Sequence, residues 1–218
     1  MVWPTDQHVT SWLTLAPRNK ISGGRLLSSQ PQPSGGVTAA GEAWCWGYNQ
    51  YGQLGDNSTT GTFTPVRVLG GQTFTNVQVG AMHTCGRTTA GTSWCWSANY
   101  FGQLGNGTTT DVPTPVQVQA GAVTFDEISA ISNHACGRTG TTLRCWGWNT
   151  SGQLGNGTIA NALAPVAVSS AVSFASVSAG NAHTCAISSA AQLWCWGGST
   201  TARPDGTPAN SAVPVLMR

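Results

Sequence analysis

The chain repeats itself every 50 residues, and this period limits the folds that it can adopt. Its repeated Cys-Trp pairs begin at Cys45, Cys95, Cys145 and Cys195. The run Gly-Gln-Leu-Gly occurs with the same period at 52–55, 102–105 and 152–155. Within each unit, short segments rich in Val, Thr and Trp alternate with Gly-, Asn- and Thr-rich turns, which is typical of short β-strands. A period of about 50 residues with three or four strands per unit indicates a β-propeller blade.

The sequence therefore predicts an all-β protein, namely a β-propeller of about 50-residue repeats with about 3.7 blades in this chain. The repeats occupy residues 36–218, in units of approximately 36–85, 86–135, 136–185 and 186–218. Residues 1–35 share no repeat feature, and we interpret them as a linker or a mistranslated start. Their apolar stretch at 12–16 is too short for the core of a signal peptide, so we expect any export signal to lie upstream of this chain.

Charge excludes several classes of function. Only 7% of the residues are charged, and the formal net charge of +2 comes from residues 1–35. Residues 36–218 balance six arginines against six acidic residues and contain no lysine. Such a body offers no basic stripe for phosphates, so we expect no nucleic-acid partner. No apolar run reaches 18 residues, and we expect no membrane insertion.

The turn between two repeated cysteines predicts how they pair. Between Cys85 and Cys95, a three-residue loop at 89–91 ends in the glycine that a type I turn with a G1 bulge requires. With this loop, Cys85 faces Cys95 at a non-hydrogen-bonded site, where Cα atoms lie about 4.5 Å apart. A disulfide bond fits there.

Two further units predict the same pairing. Cys136 and Cys145 are one residue closer together, which leaves a two-residue loop at 140–141 with glycine first, as a type II′ turn requires. Cys185 and Cys195 repeat the three-residue loop, although its third residue is alanine. Both pairs are predicted to form disulfides, the second with a less favourable turn.

Alternation along the strand places Trp94 and Trp96 on the face opposite Cys95. We expect the tryptophan face to pack blade against blade, with Trp94 covering Gly86 on the neighbouring strand.

Cys45 is the odd cysteine. Its partner position, ten residues earlier, is Gly35, so Cys45 is predicted to be a free thiol. Three disulfides favour an oxidising compartment, and we expect the protein to be extracellular or at the cell surface.

Histidines recur with the cysteines, at His83, His134 and His183. A His-x-Cys run with a facing cysteine would offer three zinc ligands. No fourth ligand accompanies them, so a disulfide beside a hydrogen-bonded histidine is the favoured interpretation. Adjacent carboxylates occur only at Asp126-Glu127, and no common catalytic or phosphate-binding motif is present. The sequence therefore predicts no enzyme activity, cofactor or metal.

The run Cys-Trp-Gly-Tyr-Asn-Gln-Tyr-Gly-Gln-Leu-Gly at 45–55, with its counterparts at 95–105 and 145–155, resembles the regulator of chromosome condensation repeat family. The resemblance covers 36–198 and implies a seven-bladed ring, of which this chain holds about half. The paired cysteines are similar to those of exported bacterial members. Known relatives include a nuclear nucleotide-exchange factor for a small GTPase and secreted β-lactamase inhibitors. No GTPase-binding wedge or basic tail maps onto this chain, so exchange activity is not expected.

These observations predict a non-catalytic module that binds an unknown protein partner through its blade-connecting loops. The candidate contact residues are the aromatic ones at the loop tips, Tyr48, Tyr51, Tyr100, Phe101 and Trp148. A structural or adhesive cell-surface repeat protein and a propeller-type enzyme inhibitor are the alternatives. Open blade edges would also allow self-association.

Overall fold

The structure, a computed structural model, describes residues 21–22, 25–26, 32–119, 121, 123–198 and 210–217. Most of the predicted non-repeat segment 1–35 lies outside these residues. Within that segment, β1 (Ile21–Ser22) pairs with β2 (Arg25–Leu26), and β3 begins at Ser34. No described segment is a helix of the length and apolar character that crossing a bilayer requires.

The repeats fold into antiparallel sheets that follow one another along the chain. The first sheet contains β3 (Ser34–Val37), β4 (Ala43–Gly47) and β5 (Thr62–Arg67). The second contains β6 (Phe74–Val79), β7 (His83–Thr88), β8 (Ser93–Ser97) and β9 (Val112–Gln117). The third contains β10 (Glu127–Ala130), β11 (His134–Thr139), β12 (Thr142–Gly147) and β13 (Ala162–Ala167). The fourth contains β14 (Phe174–Ala179), β15 (His183–Ser188), β16 (Leu193–Gly197) and β17 (Ser211–Leu216).

One three-stranded sheet and three four-stranded sheets confirm the prediction of an all-β partial propeller with about 3.7 blades. The sheets are nevertheless offset from the sequence units. The unit 86–135 begins inside β7, whereas the second sheet runs from residue 74 to residue 117. A hairpin keeps both of its strands in one sheet, so a blade cannot be divided between Cys85 and Gly86.

The hairpins have the predicted register. Cys85 lies opposite Cys95 and Cys136 lies opposite Cys145. Gly91 has a φ of 79°, the left-handed conformation that its turn requires. Three disulfides join Cys85 to Cys95, Cys136 to Cys145 and Cys185 to Cys195, with Cα–Cα distances of 4.1, 4.0 and 4.1 Å.

The two exceptional turns also have the predicted conformations. Gly140 has a φ of 56° and Thr141 is not left-handed, as a type II′ turn requires. In the fourth sheet Ala191 has a φ of 59°, a conformation that is unfavourable for a residue with a Cβ atom. The hairpin therefore keeps its geometry even without glycine.

Successive blades pack through their tryptophans. Trp146 of the third sheet is completely buried in a core cluster that contains Cys85 and Cys95 of the second sheet. Trp196 packs in the same way against Cys136 and Cys145. The tryptophan side of one blade therefore covers the disulfide side of the preceding blade.

The space nearest Gly86 holds a ring that the sequence did not predict there. A Cβ atom on Gly86 would first meet the ring of Phe74, at 2.7 Å, and then Val77. Phe74 of β6 therefore lies closest to this glycine, while Trp94 lies opposite it in the neighbouring strand. Phe125 occupies the same place over Gly137 in the third sheet. Sequence alternation gives the face of a residue but not which of several aromatic rings reaches across the sheet.

Cys45 is buried and free, and Gly35 lies directly opposite it. Burial, with a smaller contribution from the charge of Asp56, raises the pKa of the Cys45 thiol to about 12. The thiol is therefore protonated at neutral pH and shielded from reagents. A Cβ atom on Gly35 would stand 2.9 Å from the Cys45 Sγ atom and 2.9 Å from Val79 Cγ2.

Substituting Gly35→Cys should therefore create a fourth disulfide, with Val79 moving slightly to make room. After denaturation and alkylation, the mass of the wild-type protein should show one labelled thiol and that of G35C none. The matched control is Gly36→Cys, whose position faces Trp44, and this variant should show two labelled thiols. Two labelled thiols in G35C would contradict the register of β3 on β4.

Candidate protein-binding surface

Three loops with the same length and the same hydrogen-bonding pattern lie at the same end of the sheets. They connect β4 to β5, β8 to β9 and β12 to β13, and they span residues 48–61, 98–111 and 148–161. Connections that follow the equivalent strand of each antiparallel sheet emerge at the same end. The turns of the disulfide-linked hairpins lie at the opposite end of the sheets. We call these three loops the loop surface.

A buried asparagine near the start of each loop holds it together. The Nδ2 group of Asn99 donates to the carbonyl oxygens of Thr108 and Thr110 at 2.9 and 3.1 Å. Its Oδ1 atom accepts the backbone N–H of Leu104 at 2.9 Å. Asn49 and Asn149 make the equivalent bonds in their own loops. Each loop therefore has a fixed shape although it contains no strand pairing.

The Gly-Gln-Leu-Gly motif fastens each loop to the next blade. The Gln103 side-chain oxygen accepts the backbone N–H of Phe101 at 2.9 Å, and the Gln103 backbone carbonyl accepts the indole N–H of Trp146 at 3.1 Å. Leu104 is fully buried, and a Cβ atom on Gly105 would lie 2.7 Å from the Trp146 Nε1 atom. Packing against the next blade explains the motif, and no ligand is needed to account for it.

The structure brings the predicted aromatic contact residues into one row along the loop surface. The ring centroids of Tyr48 and Tyr51 are 6.5 Å apart, and those of Tyr51 and Tyr100 are 6.2 Å apart. Phe101 then meets Trp148 at 5.8 Å. Two of these three contacts join one loop to the next, so the row exists only when the blades are assembled. Tyr100 is exposed and the other four are half-buried.

The loop surface carries acidic groups, Asp56 and Asp111, and no basic group. The Oδ1 atom of Asp111 accepts the backbone N–H of Asn99 at 2.7 Å. The negative charge of Asp111 disfavours the phenolate of Tyr100 and raises the pKa of this tyrosine. The surface is therefore aromatic and negative.

Two of the repeated histidines, His83 and His134, are buried and form hydrogen bonds inside the fold. His134 lies with Nε2 2.8 Å from the Thr184 hydroxyl, which itself donates to the Gln153 carbonyl at 2.8 Å. Nε2 therefore carries the proton, and the buried Nδ1 atom has no hydrogen-bond partner among the described residues. In His83, Nδ1 lies 2.8 Å from the Ser132 carbonyl oxygen, and Nε2 is the atom without a partner in the described part of the chain.

Burial lowers the pKa of His83 to about 4 despite the hydrogen bond to Ser132. It lowers the pKa of His134 to about 3, helped by the charges of His83 and His183. These two rings are thus neutral and inaccessible at neutral pH, whereas His183 is exposed. The structure has disulfide-bonded cysteines beside hydrogen-bonded histidines, which is the interpretation that the sequence favoured over zinc.

Sequence reasoning did not assign a structural role to Asp111 or to the buried asparagines. A position-by-position comparison of the three loops contains the signal. Asn49, Asn99 and Asn149 are invariant within the chain, as expected for a structural role. The position equivalent to Asp111 is occupied by Gly61 in the first loop and by Asn161 in the third loop.

The sheets, hairpins and loops together define a β-propeller made of blades of about 50 residues. The chain belongs to the family of the Regulator of chromosome condensation (RCC1) repeat, whose model matches residues 40–86, 90–143 and 145–187. This match confirms the resemblance seen in the sequence. No curated protein sequence matches the chain.

Solved structures of similar fold come from different organisms. Human WBSCR16 matches with a TM-score of 0.76 and 18% identity, over 85% of this chain and 49% of that chain. Prp20p from Saccharomyces cerevisiae, studied with its binding to Gsp1p and histones, matches with a TM-score of 0.74 and 21% identity, over 86% and 48%. The CR4 receptor kinase ectodomain of Physcomitrella patens has a TM-score of 0.54 at 21% identity, over 81% and 42%. The chain thus spans about half the length of these structures or less, and the likeness concerns the fold.

Proposed function

We propose that the chain is part of a non-catalytic, extracellular protein-binding propeller that contacts its partner through the loop surface. The observation that carries this proposal is the set of aromatic ring contacts that joins the first loop to the second and the second to the third. Exposed aromatic side chains are enriched at protein interfaces and supply much of their binding energy.

The construction of the loops supports the proposal. The asparagine and glutamine bonds hold each loop in one shape before any partner arrives. A rigid surface loses little conformational entropy on binding, and a larger part of the contact energy then contributes to affinity. In Prp20p, a similar fold is found in a protein that binds other proteins, Gsp1p and histones.

The disulfides support an extracellular site of action. Each of the three bonds closes a hairpin within one blade, so the fold incorporates them at every complete four-stranded sheet. Disulfides of this kind persist in oxidising compartments and are rare in the cytosol.

A role without catalysis fits the state of the titratable groups. His83 and His134 are buried and neutral at the pH of most enzymes. Asp126 and Glu127 lie 3.6 and 3.1 Å from Arg138, next to a hairpin turn at the far end from the loop surface. Their local structural role explains these carboxylates without a substrate.

Self-association is a second candidate, and the exposed side of the fourth sheet favours it. Leu193 is 43% exposed, whereas the equivalent Leu143 is only 3% exposed under the following blade. Ile187, directly opposite Leu193, is 38% exposed. This apolar pair offers a surface to another copy of the chain.

Photocrosslinking distinguishes the two candidates. A benzophenone amino acid would replace Phe101 or Trp148 in one pair of variants, and Ile187 or Leu193 in a matched pair. The variants would be irradiated in the extracellular fraction of the organism that makes the protein. Adducts with other proteins at Phe101 and Trp148 but not at the matched pair would support the proposed function. Chain-to-chain adducts at Leu193 would support self-association, and an absence of loop adducts would overturn the proposed function.

A further inference from the structure

The loop surface contains a corner built from tyrosine rings. The rings of Tyr51 and Tyr100 are nearly perpendicular, at 88°, and that of Tyr48 meets Tyr51 at 65°. In such edge-to-face pairs each ring keeps at least one π-face that its partner does not cover, and the negative face of a tyrosine attracts a cation. Tyr100 is 56% exposed, so a side chain from outside can reach this corner.

Asp111 places a carboxylate beside the same corner. Its bond to the backbone N–H of Asn99 fixes it next to the tyrosine that follows, Tyr100. The first loop packs against β9, the strand after Asp111. Gly52 lies so close to it that an added Cβ atom would stand 2.6 Å from Pro113 Cβ. The rings from two loops and one carboxylate therefore converge.

The fold does not require this negative charge. In the third loop Asn161 accepts the backbone N–H of Asn149 at 2.9 Å, which is the bond that Asp111 makes to Asn99. A neutral amide thus performs the structural task in the sister loop. In the first loop, Gly61 occupies the position without any side chain.

No cation of the described chain neutralises Asp111. In the described residues, the ion pairs join Arg67 to Glu42 and Arg138 to Asp126 and Glu127. The loop surface has no basic residue of its own. The negative charge is therefore available to a group that arrives from outside.

The geometry points to a binding subsite for a cationic side chain, an arginine or a lysine presented by the protein partner, formed by Tyr51, Tyr100 and Asp111. This inference rests on the proposed function of the loop surface and names the chemistry that the surface selects. The guanidinium or ammonium group lies against the tyrosine rings and bonds to the carboxylate of Asp111, which can accept several hydrogen bonds at once.

Peptide binding to the whole chain tests the subsite. Short fluorescent Gly/Ser peptides would carry arginine, glutamate or threonine at the same positions, and fluorescence anisotropy would report binding. The arginine peptide should bind more tightly than the threonine peptide, and the glutamate peptide should bind least. Raising the salt to about 0.5 M should weaken the arginine complex because part of the attraction is between charges at an exposed site.

Asp111→Asn is the decisive variant because Asn161 shows that the loop accepts an amide there. It should weaken arginine-peptide binding roughly tenfold, the loss expected for one charged hydrogen bond, and leave the threonine peptide unaffected. Asp56→Asn is a charge-matched control in the same surface, where Asn106 and Asn156 fill the sister positions. It should have a much smaller effect.

Equal weakening by D56N and D111N would show attraction by overall charge alone and overturn the subsite. Unchanged binding by D111N, or equal binding of the arginine and threonine peptides, would also overturn it. These failures remain distinct from failure of the proposed function. Protein adducts at Phe101 and Trp148 would then persist without any preference for cations.

Discussion

Removing the disulfide of the second blade, with Cys85→Ala and Cys95→Ala together, should lower the free energy of unfolding by about 3–5 kcal/mol. Removing that of the fourth blade, with Cys185→Ala and Cys195→Ala, should lower it by about 2–3 kcal/mol. Both bonds have a sequence separation of 10, so the loss of loop-closure entropy is the same. Any difference between the variants therefore comes from packing.

Packing favours a larger loss in the second blade. Cys85 and Cys95 are completely buried in the cluster that contains Trp146 of the next blade. Truncating them leaves a cavity at the blade interface, and cavities add to the lost transfer energy. Cys185 and Cys195 are only half-buried, so the solvent fills the space that truncation creates.

Urea unfolding followed by tryptophan fluorescence would measure both losses, with the slope on urea concentration checked for constancy. Alkylation should find one thiol in each double variant, because Cys45 remains free. Equal losses would show that the disulfides act through the unfolded chain alone. A larger loss in the fourth blade would contradict the packing of Trp146 on the second.

The cysteine pairing could be predicted because it depends on local geometry. The number of residues between Cys136 and Cys145 decides the turn, and the turn decides which side chains face each other. Gly140 adopts a left-handed conformation that few other residues tolerate, so one position fixes the register of its hairpin. The 50-residue period then predicts how often that hairpin occurs.

Contacts between blades could be predicted only in outline. The sequence could place the aromatic residues at the loop tips, but the spacing between their rings depends on how far one blade is rotated from the next. The ring of Tyr51 meets Tyr100 only after the first loop has packed on Pro113. The filling of the space over Gly86 by Phe74 is a similar case, because two aromatic residues of different strands compete for it. Period and alternation do not describe such side-chain packing.

Acid should destabilise the fold through its two buried histidines. The pKa of His83 is about 4 and that of His134 is about 3 in the folded chain, against about 6.5 in an unfolded chain. Between these values the unfolded state binds protons that the folded state excludes, so stability decreases as the pH falls. The loss begins near pH 6.5 and continues toward pH 4 for His83 and pH 3 for His134. Above about pH 7 neither histidine affects the pH dependence.

His83 should contribute on the order of 3 kcal/mol to this loss and His134 on the order of 5 kcal/mol, because one pKa unit corresponds to about 1.4 kcal/mol. Urea midpoints measured at several pH values between about 7.5 and 4.5 would show more than half of this loss. His134→Gln should be less stable at neutral pH, since the bond to Thr184 changes, yet its midpoint should fall less steeply with acid. His183→Gln is the matched control at an exposed repeat position, and it should change the slope much less than H134Q does, through the loss of its charge effect on His134. An identical slope in H134Q would mean that His134 takes up its proton without unfolding, and the buried, neutral ring described above would be wrong.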